Sequence, residues 1–251
     1  MCRHLAWLGE PRPLAQFVTE PPHSLVRQSY AATELLRGSV CADGFGVGWY
    51  PGDEAAPARY RRSEPIWADP DLSRFAEAVR SRAIVAAVRN GTPGIPGGVA
   101  STQPVAARGL LASHNGYVAD FHRHARRLRD ALPEDLYAAL SGESDSETFL
   151  LLAIHHVGRE GDLVAGLASA IAEVLRTAPG SSLCVVMTDG QELVAARMAD
   201  DEPCDSLYVR QQDDGVVVAS EPLDGEAGWS ALPEQAVIGL TGPAVALDGA
   251  V

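Results

Sequence analysis

Three segments with helical spacing stand back to back in the middle of this chain, with short strand-like runs on both sides, and few folds accommodate that order. Phe121 to Ala131 is arginine-rich with Leu128 on one side, Ser146 to Val157 carries Phe149, Leu150, Ala153 and Ile154 at helical spacing, and Leu163 to Leu175 repeats apolar residues every three or four positions. Ahead of them, Cys2 to Leu8, Ala83 to Val88 and Leu110 to His114 read as short strands, and Leu25 to Leu36 as a further helix. After them come Leu183 to Met187, Leu193 to Met198, Leu207 to Arg210 and Val216 to Ala219, separated by Asp189-Gly190 and Asp213-Asp214-Gly215 turn signals. Strands, then helices, then a meander of strands predict an α+β fold: a four-layer α-β-β-α sandwich of two mostly antiparallel sheets with helices outside. In this reading the last third supplies the second sheet. No internal repeat or low-complexity linker divides the chain, so residues 2–251 are expected to form a single domain.

Several local signals add detail. Gly9, followed by Pro11 and Pro13, is expected to end the first strand and fix Cys2 at its start. Asp43-Gly44-Phe45-Gly46-Val47-Gly48-Trp49-Tyr50 alternates glycine with large residues, which suits a strand with another group packed against its bare face as well as it suits a plain glycine-rich strand. Asn90 to Gly98 is too rich in Gly and Pro for regular structure and reads as an ordered loop at a strand end.

Composition removes several classes of function. A net charge of -13 argues against nucleic acid, whose binders cluster positive charge. All the basic side chains are arginine. Cys2, Cys41, Cys184 and Cys204 are too scattered for a disulfide framework and include no C-x-x-C pair, which points to a reducing cytoplasm. No run is long and apolar enough for a signal peptide or membrane span. The histidines show no zinc-type spacing, so no metal is expected, and His122-Arg123-His124 through Arg129 is most simply a solvated basic face.

Cys2 follows the initiator Met1, so trimming of Met1 would leave a residue carrying a thiol and a free α-amine, nucleophile and base together. Ser113-His114-Asn115-Gly116 is first of all a turn signal. Its functional reading is an oxyanion hole made by the Asn115 side-chain amide and the Gly116 backbone N–H. Arg89, at a strand end, and Asp145, which reads equally as a helix cap, together offer one cation and one anion. A free amino-acid group needs both, for its α-carboxylate and its α-ammonium. Tyr30, Trp49, Trp67 and Trp229 are available to face a cationic ligand group, though each reads more simply as core or surface.

Met1-Cys2-Arg3-His4-Leu5, Ala42 to Gly46, Arg89 through Thr92, Ser113 to Gly116, Glu143 to Glu147 and Ser220-Glu221-Pro222-Leu223 form an ordered set that resembles the class II glutamine amidotransferases, within the N-terminal nucleophile hydrolase superfamily. The resemblance spans most of the chain. It implies the α-β-β-α fold, removal of Met1, and cleavage of a γ-glutamyl amide without a cofactor. It further implies Cys2 as nucleophile, Asn115 and Gly116 as oxyanion hole, Arg89 with Thr92 as the site for the glutamyl carboxylate, and Asp145 as the site for its ammonium. Arg3 after the nucleophile and Thr102-Gln103-Pro104 after the arginine loop depart from amidotransferases fused to synthetases, and no acceptor domain is left over. Hydrolysis of a small-molecule γ-glutamyl substrate is therefore favoured over a glutaminase subunit that passes ammonia to a separate synthetase, and over a non-catalytic amino-acid-binding module.

Overall fold

Leu5 and Trp7 point to one face of the first strand and Ala6 and Leu8 to the other, and all four are buried, so that strand must be covered on both sides. The computed structural model, which describes residues 2–52, 56–91, 97–200 and 203–242, shows how. The strands are β1 (Arg3–Pro13), β2 (Phe45–Trp49), β3 (Ala58–Arg62), β4 (Arg80–Val88), β5 (Val105–Ala107), β6 (Leu110–Tyr117), β7 (Ser182–Thr188), β8 (Glu192–Ala199), β9 (Tyr208–Gln212), β10 (Gly215–Ala219), β11 (Ser230–Ala231) and β12 (Ala236–Thr241). The helices are α1 (Ala15–Val18), α2 (Leu25–Ala31), α3 (Leu72–Ala78), α4 (Phe121–Asp130), α5 (Glu134–Ala138), α6 (Asp145–Glu160) and α7 (Leu163–Thr177). One sheet has the order β11-β9-β10-β1-β4-β2-β3 and the other β12-β8-β7-β6-β5.

Three apolar layers hold these sheets together. Leu5, Trp7, Phe17 and Ile84 pack between the first sheet and α1 to α3, Ala6, Leu8, Leu111 and Val186 pack between the sheets, and Phe149, Leu167, Val185 and Val194 pack between the second sheet and α6 with α7. The result is the expected four-layer α-β-β-α sandwich.

The structure departs from the sequence reading in four places. The helix expected over Leu25 to Leu36 ends at Ala31, because Ala32 is already extended. β1 does not stop at Gly9: it runs to Pro13 through a register shift between Leu8 and Arg12, and such an irregularity is where a strand tolerates proline. Asn115-Gly116 is not a turn but lies inside β6, opposite Cys184 and Leu183. The last third is divided between the sheets, because β10 pairs with β1 through Leu5↔Ala219 to Gly9↔Gly215 while β7 and β8 join β6. The close-packing reading of the glycine-rich strand holds. A Cβ on Gly46 would lie 2.2 Å from the Gln103 carbonyl oxygen, so β2 presses a bare face onto the start of the second sheet.

Candidate active site

Cys2 immediately precedes β1, and the start of that strand is held from both sides. Arg3 pairs with Val88 of β4, and the His4 N–H donates to Ser220 Oγ at 3.0 Å while the Ser220 N–H donates to the His4 carbonyl at 2.9 Å. The Arg3 side chain is fully buried, with Nη2 2.7 Å from Asp205 and Nη1 3.4 Å from Glu221. Glu221 in turn accepts from His23, from the Thr33 N–H and hydroxyl, and from the Glu34 N–H. Burial alone would raise its carboxyl, but these hydrogen bonds together hold it below the usual range. The Ser-Glu-Pro-Leu segment thus anchors both the strand that follows the thiol and the loop after α2.

The thiol opens on a cleft of about 1030 Å³, at the upper end of the range for small-molecule sites. Cys2, Arg89, Gly116 and Asp145, contributed by four separate elements, all line it. Burial pushes the Cys2 thiol above its ordinary value and Asp145 adds to the rise, while Arg89 opposes it. The thiol's hydrogen-bond partner is the Asn90 carbonyl, at 3.9 Å.

Arg89 follows β4 directly, its backbone tied to Gly44 and Asp43. Its guanidinium lies against Gly91, where a Cβ would stand 3.1 Å from Nη2, and among the described residues it donates through one long contact, Nη1 to the Asp43 carbonyl at 3.5 Å. Thr92 lies outside the described residues. Asp145 is the first residue of α6 and is buried. Ser144 is the cap, accepting from the Glu147 N–H, which leaves the Asp145 carboxylate for other partners. It accepts the Val118 N–H at 3.0 Å and the Ser146 N–H at 2.8 Å, and a carboxylate has capacity for further donors.

Gly116 has φ of +148°, and a Cβ there would lie 1.9 Å from the Ser182 carbonyl oxygen, so no other residue fits. The preceding Asn115 is fully buried, and neither its amide nitrogen nor its amide oxygen has a partner among the described residues. Buried polar groups are nearly always hydrogen-bonded, so an unpaired amide next to the cleft-lining Gly116 holds unused donor capacity.

A family model for class II glutamine amidotransferases matches residues 24–210. This chain belongs to the class II glutamine amidotransferases. It is 36% identical over 238 residues, 95% of each chain, to the gamma-glutamyl-hercynylcysteine sulfoxide hydrolase of Mycolicibacterium smegmatis. It is 34% identical over 250 residues, 98% of this chain and 96% of the relative, to the protein of that name from Mycobacterium tuberculosis. Among solved structures, a glutamine aminotransferase class-II domain protein from Silicibacter pomeroyi superposes with a TM-score of 0.71 at 29% identity, covering 96% of this chain and 95% of that one. The glutamine phosphoribosylpyrophosphate amidotransferase of Bacillus subtilis shares the fold at 17% identity, with a TM-score of 0.61 over 96% of this chain and 47% of that one.

For a class II amidotransferase the departures in this sequence acquire a structural role. Gln103 brackets His114, with Oε1 accepting the His114 N–H at 2.6 Å and Nε2 donating to its carbonyl at 2.8 Å, while Ser113 Oγ donates to the same Oε1 at 3.0 Å. That clamp holds the residue before Asn115. We expect Gln103→Ala to lower kcat on the order of tenfold or more with a smaller change in KM, since Arg89 and Asp145 are not among its partners; steady-state kinetics on a γ-glutamyl substrate checks this.

His4 extends the same polar chain to β1, with Nδ1 3.2 Å from Ser113 Oγ. Burial, reinforced by His114 and Arg3, pushes its pKa down to about 3. The unfolded chain's imidazole takes its proton near the ordinary 6.5, so this contribution to stability is full above 6.5 and is lost as pH falls from there toward about 3. A single such group costs about 1.4 kcal/mol per pH unit within that window. Denaturant unfolding between about pH 6.5 and 5, above most carboxylate titration, should show the decline, and His4→Gln should make it shallower, leaving the part due to His114, whose pKa burial also lowers.

Among the described residues, no group of three or more His, Cys, Asp or Glu could hold a metal ion. No helix in them is long and apolar enough to cross a membrane. Tyr30, Trp49, Trp67 and Trp229 do not line the cleft; its aromatic walls are Tyr117 and Phe121. The basic segment read as a solvated face supplies His122 and Arg129 to the cleft as well.

Proposed function

We propose that this protein hydrolyses the γ-glutamyl amide of γ-glutamyl-hercynylcysteine sulfoxide, releasing glutamate and hercynylcysteine sulfoxide, a step of ergothioneine biosynthesis. Removal of Met1 would expose the Cys2 α-amine, which takes the thiol proton as Sγ attacks the γ-carbonyl. Asn115 Nδ2 and the Gly116 N–H stabilise the tetrahedral oxyanion. The resulting ammonium protonates the leaving amine, and water activated by the same amine then hydrolyses the γ-glutamyl thioester. Arg89 and Thr92 hold the glutamyl carboxylate and Asp145 its ammonium. A base is needed because burial keeps the thiol protonated at rest.

The observation that carries this reading is the convergence of Cys2, Arg89, Gly116 and Asp145 on one cleft, and the relatives' names supply the substrate. The reading takes residues 2–251 as one catalytic domain acting on a small molecule in the reducing cytoplasm, where Cys2, Cys41, Cys184 and Cys204 would persist as thiols rather than disulfides. A panel of glutamine, glutathione and γ-glutamyl-hercynylcysteine sulfoxide, ranked by kcat/KM on purified protein, tests it. The sulfoxide conjugate should rank first by about a hundredfold or more over glutamine, the loss expected when a substrate lacks most of the groups a site is built to bind. Equal rates on glutamine would overturn the substrate assignment.

A further inference from the structure

The cleft is larger than a glutamyl group requires, and its lining includes three guanidinium groups, Arg37, Arg89 and Arg129. The glutamyl half has one carboxylate, which the reading above gives to Arg89. Arg37 lies over the Tyr117 ring, 5.0 Å from its centroid. Arg129 is set up differently. Its guanidinium carbon stands 5.6 Å from the centroid of Phe121, and its Nε donates to Thr148 Oγ1 at 3.2 Å. Thr148 is fully buried and its hydroxyl donates on to the Ser144 carbonyl at 3.3 Å. The guanidinium plane is thereby fixed by the aromatic ring and by the first turn of α6, next to Asp145. Its two terminal nitrogens have no protein partner among the described residues, and they belong to a side chain on the cleft wall. A held guanidinium with two free parallel donors matches a planar carboxylate.

We propose that Arg129 binds the α-carboxylate of the leaving amine, so that the enzyme selects γ-glutamyl amides of amino acids over γ-glutamyl amides of uncharged amines. The inference rests on the γ-glutamyl hydrolase reading and deepens it. Bonding of Nε to Thr148 leaves the fork oriented before substrate arrives, which lowers the ordering cost of capture. Asp120, Glu143 and Asp145 also line the cleft. In that acidic company a held arginine gives the leaving half's carboxylate a cationic partner.

The matched pair γ-glutamylalanine and γ-glutamylethylamide differs by the carboxylate alone, and the ratio of their kcat/KM values within one preparation is independent of how much of a variant is folded. The wild-type protein should favour γ-glutamylalanine, and Arg129→Ala should lower that ratio by about ten- to a hundredfold, the loss expected for a charged hydrogen-bonded pair. Arg129→Lys, which keeps the charge and loses the fork, should fall between. A ratio that stays within about threefold of wild type in Arg129→Ala overturns the proposal while the hydrolase reading stands. An equal loss on both substrates also overturns it, since Arg129 would then serve the glutamyl half or the fold. A wild-type protein inert toward every γ-glutamyl amide, the sulfoxide conjugate included, overturns both readings.

Discussion

Cys2→Ala should reduce γ-glutamyl turnover by about 10⁴-fold or more while leaving the fold intact. Removing the attacking atom of a covalent mechanism eliminates the pathway, and the residual rate then comes only from binding and oxyanion stabilisation. Little stability is at stake. Cys2 is mostly buried on the cleft wall, its one hydrogen bond among the described residues is a 3.9 Å contact to the Asn90 carbonyl, and the start of β1 is held by Arg3, His4 and Ser220. The unfolding midpoint should therefore stay close to wild type. The same variant separates the catalytic reading from a binding module. It should still bind a γ-glutamyl amide by calorimetry, because Arg89 and Asp145 remain. Full turnover in Cys2→Ala would end the mechanism.

Asn115→Ala should cost about 10²- to 10³-fold in kcat, the usual loss of one oxyanion donor. Its signature is the accompanying stability. Truncating a buried, hydrogen-bonded asparagine destabilises a protein by stranding its partners, but both polar atoms of Asn115 lack partners among the described residues. The fold already bears the cost of burying that amide. Asn115→Ala should therefore melt no lower than expected for a small cavity, and removal of the unpaired amide works in the direction of stability. A large fall in rate with little fall in stability is what a site strained for function predicts. A parallel loss of both would mean that Asn115 is structural.

The layer architecture was legible because it follows from local period. The helical repeats around Phe149 and Leu167 and the short runs of β4, β6, β7 and β8 each carry their own signal. Long-range pairing was not legible. Nothing near Val216 to Ala219 announces that this strand will return to lie beside β1, and that register is decided by which buried faces match. Asn115-Gly116 misled for a related reason. The pair is a turn signal in isolation, yet here glycine is required by the Ser182 carbonyl pressing on β6 from β7. Proline at positions 11 and 13 misled because a bulge can absorb it. In the candidate site, Cys2, Arg89 and Asp145 could be picked out by residue type and position at element ends, and Gly116 by its place in Ser113-His114-Asn115-Gly116. Gln103 and Arg129 could not. Gln103 acts through main-chain bonds to a strand that sequence does not place beside it, and Arg129 sits in a helix whose many arginines hide the one that Thr148 and Phe121 turn toward the cleft.

The central claim is that an N-terminal Cys2 carries the glutamyl group between the two half-reactions. Acid-quenched enzyme, taken during turnover of a γ-glutamyl amide and analysed by peptide mass spectrometry, tests it directly. The account predicts an N-terminal peptide that begins at Cys2, lacks Met1 and carries one glutamyl acyl group as a thioester. Active enzyme whose N-terminal peptide retains Met1, or whose acyl group sits on any other residue, would contradict it.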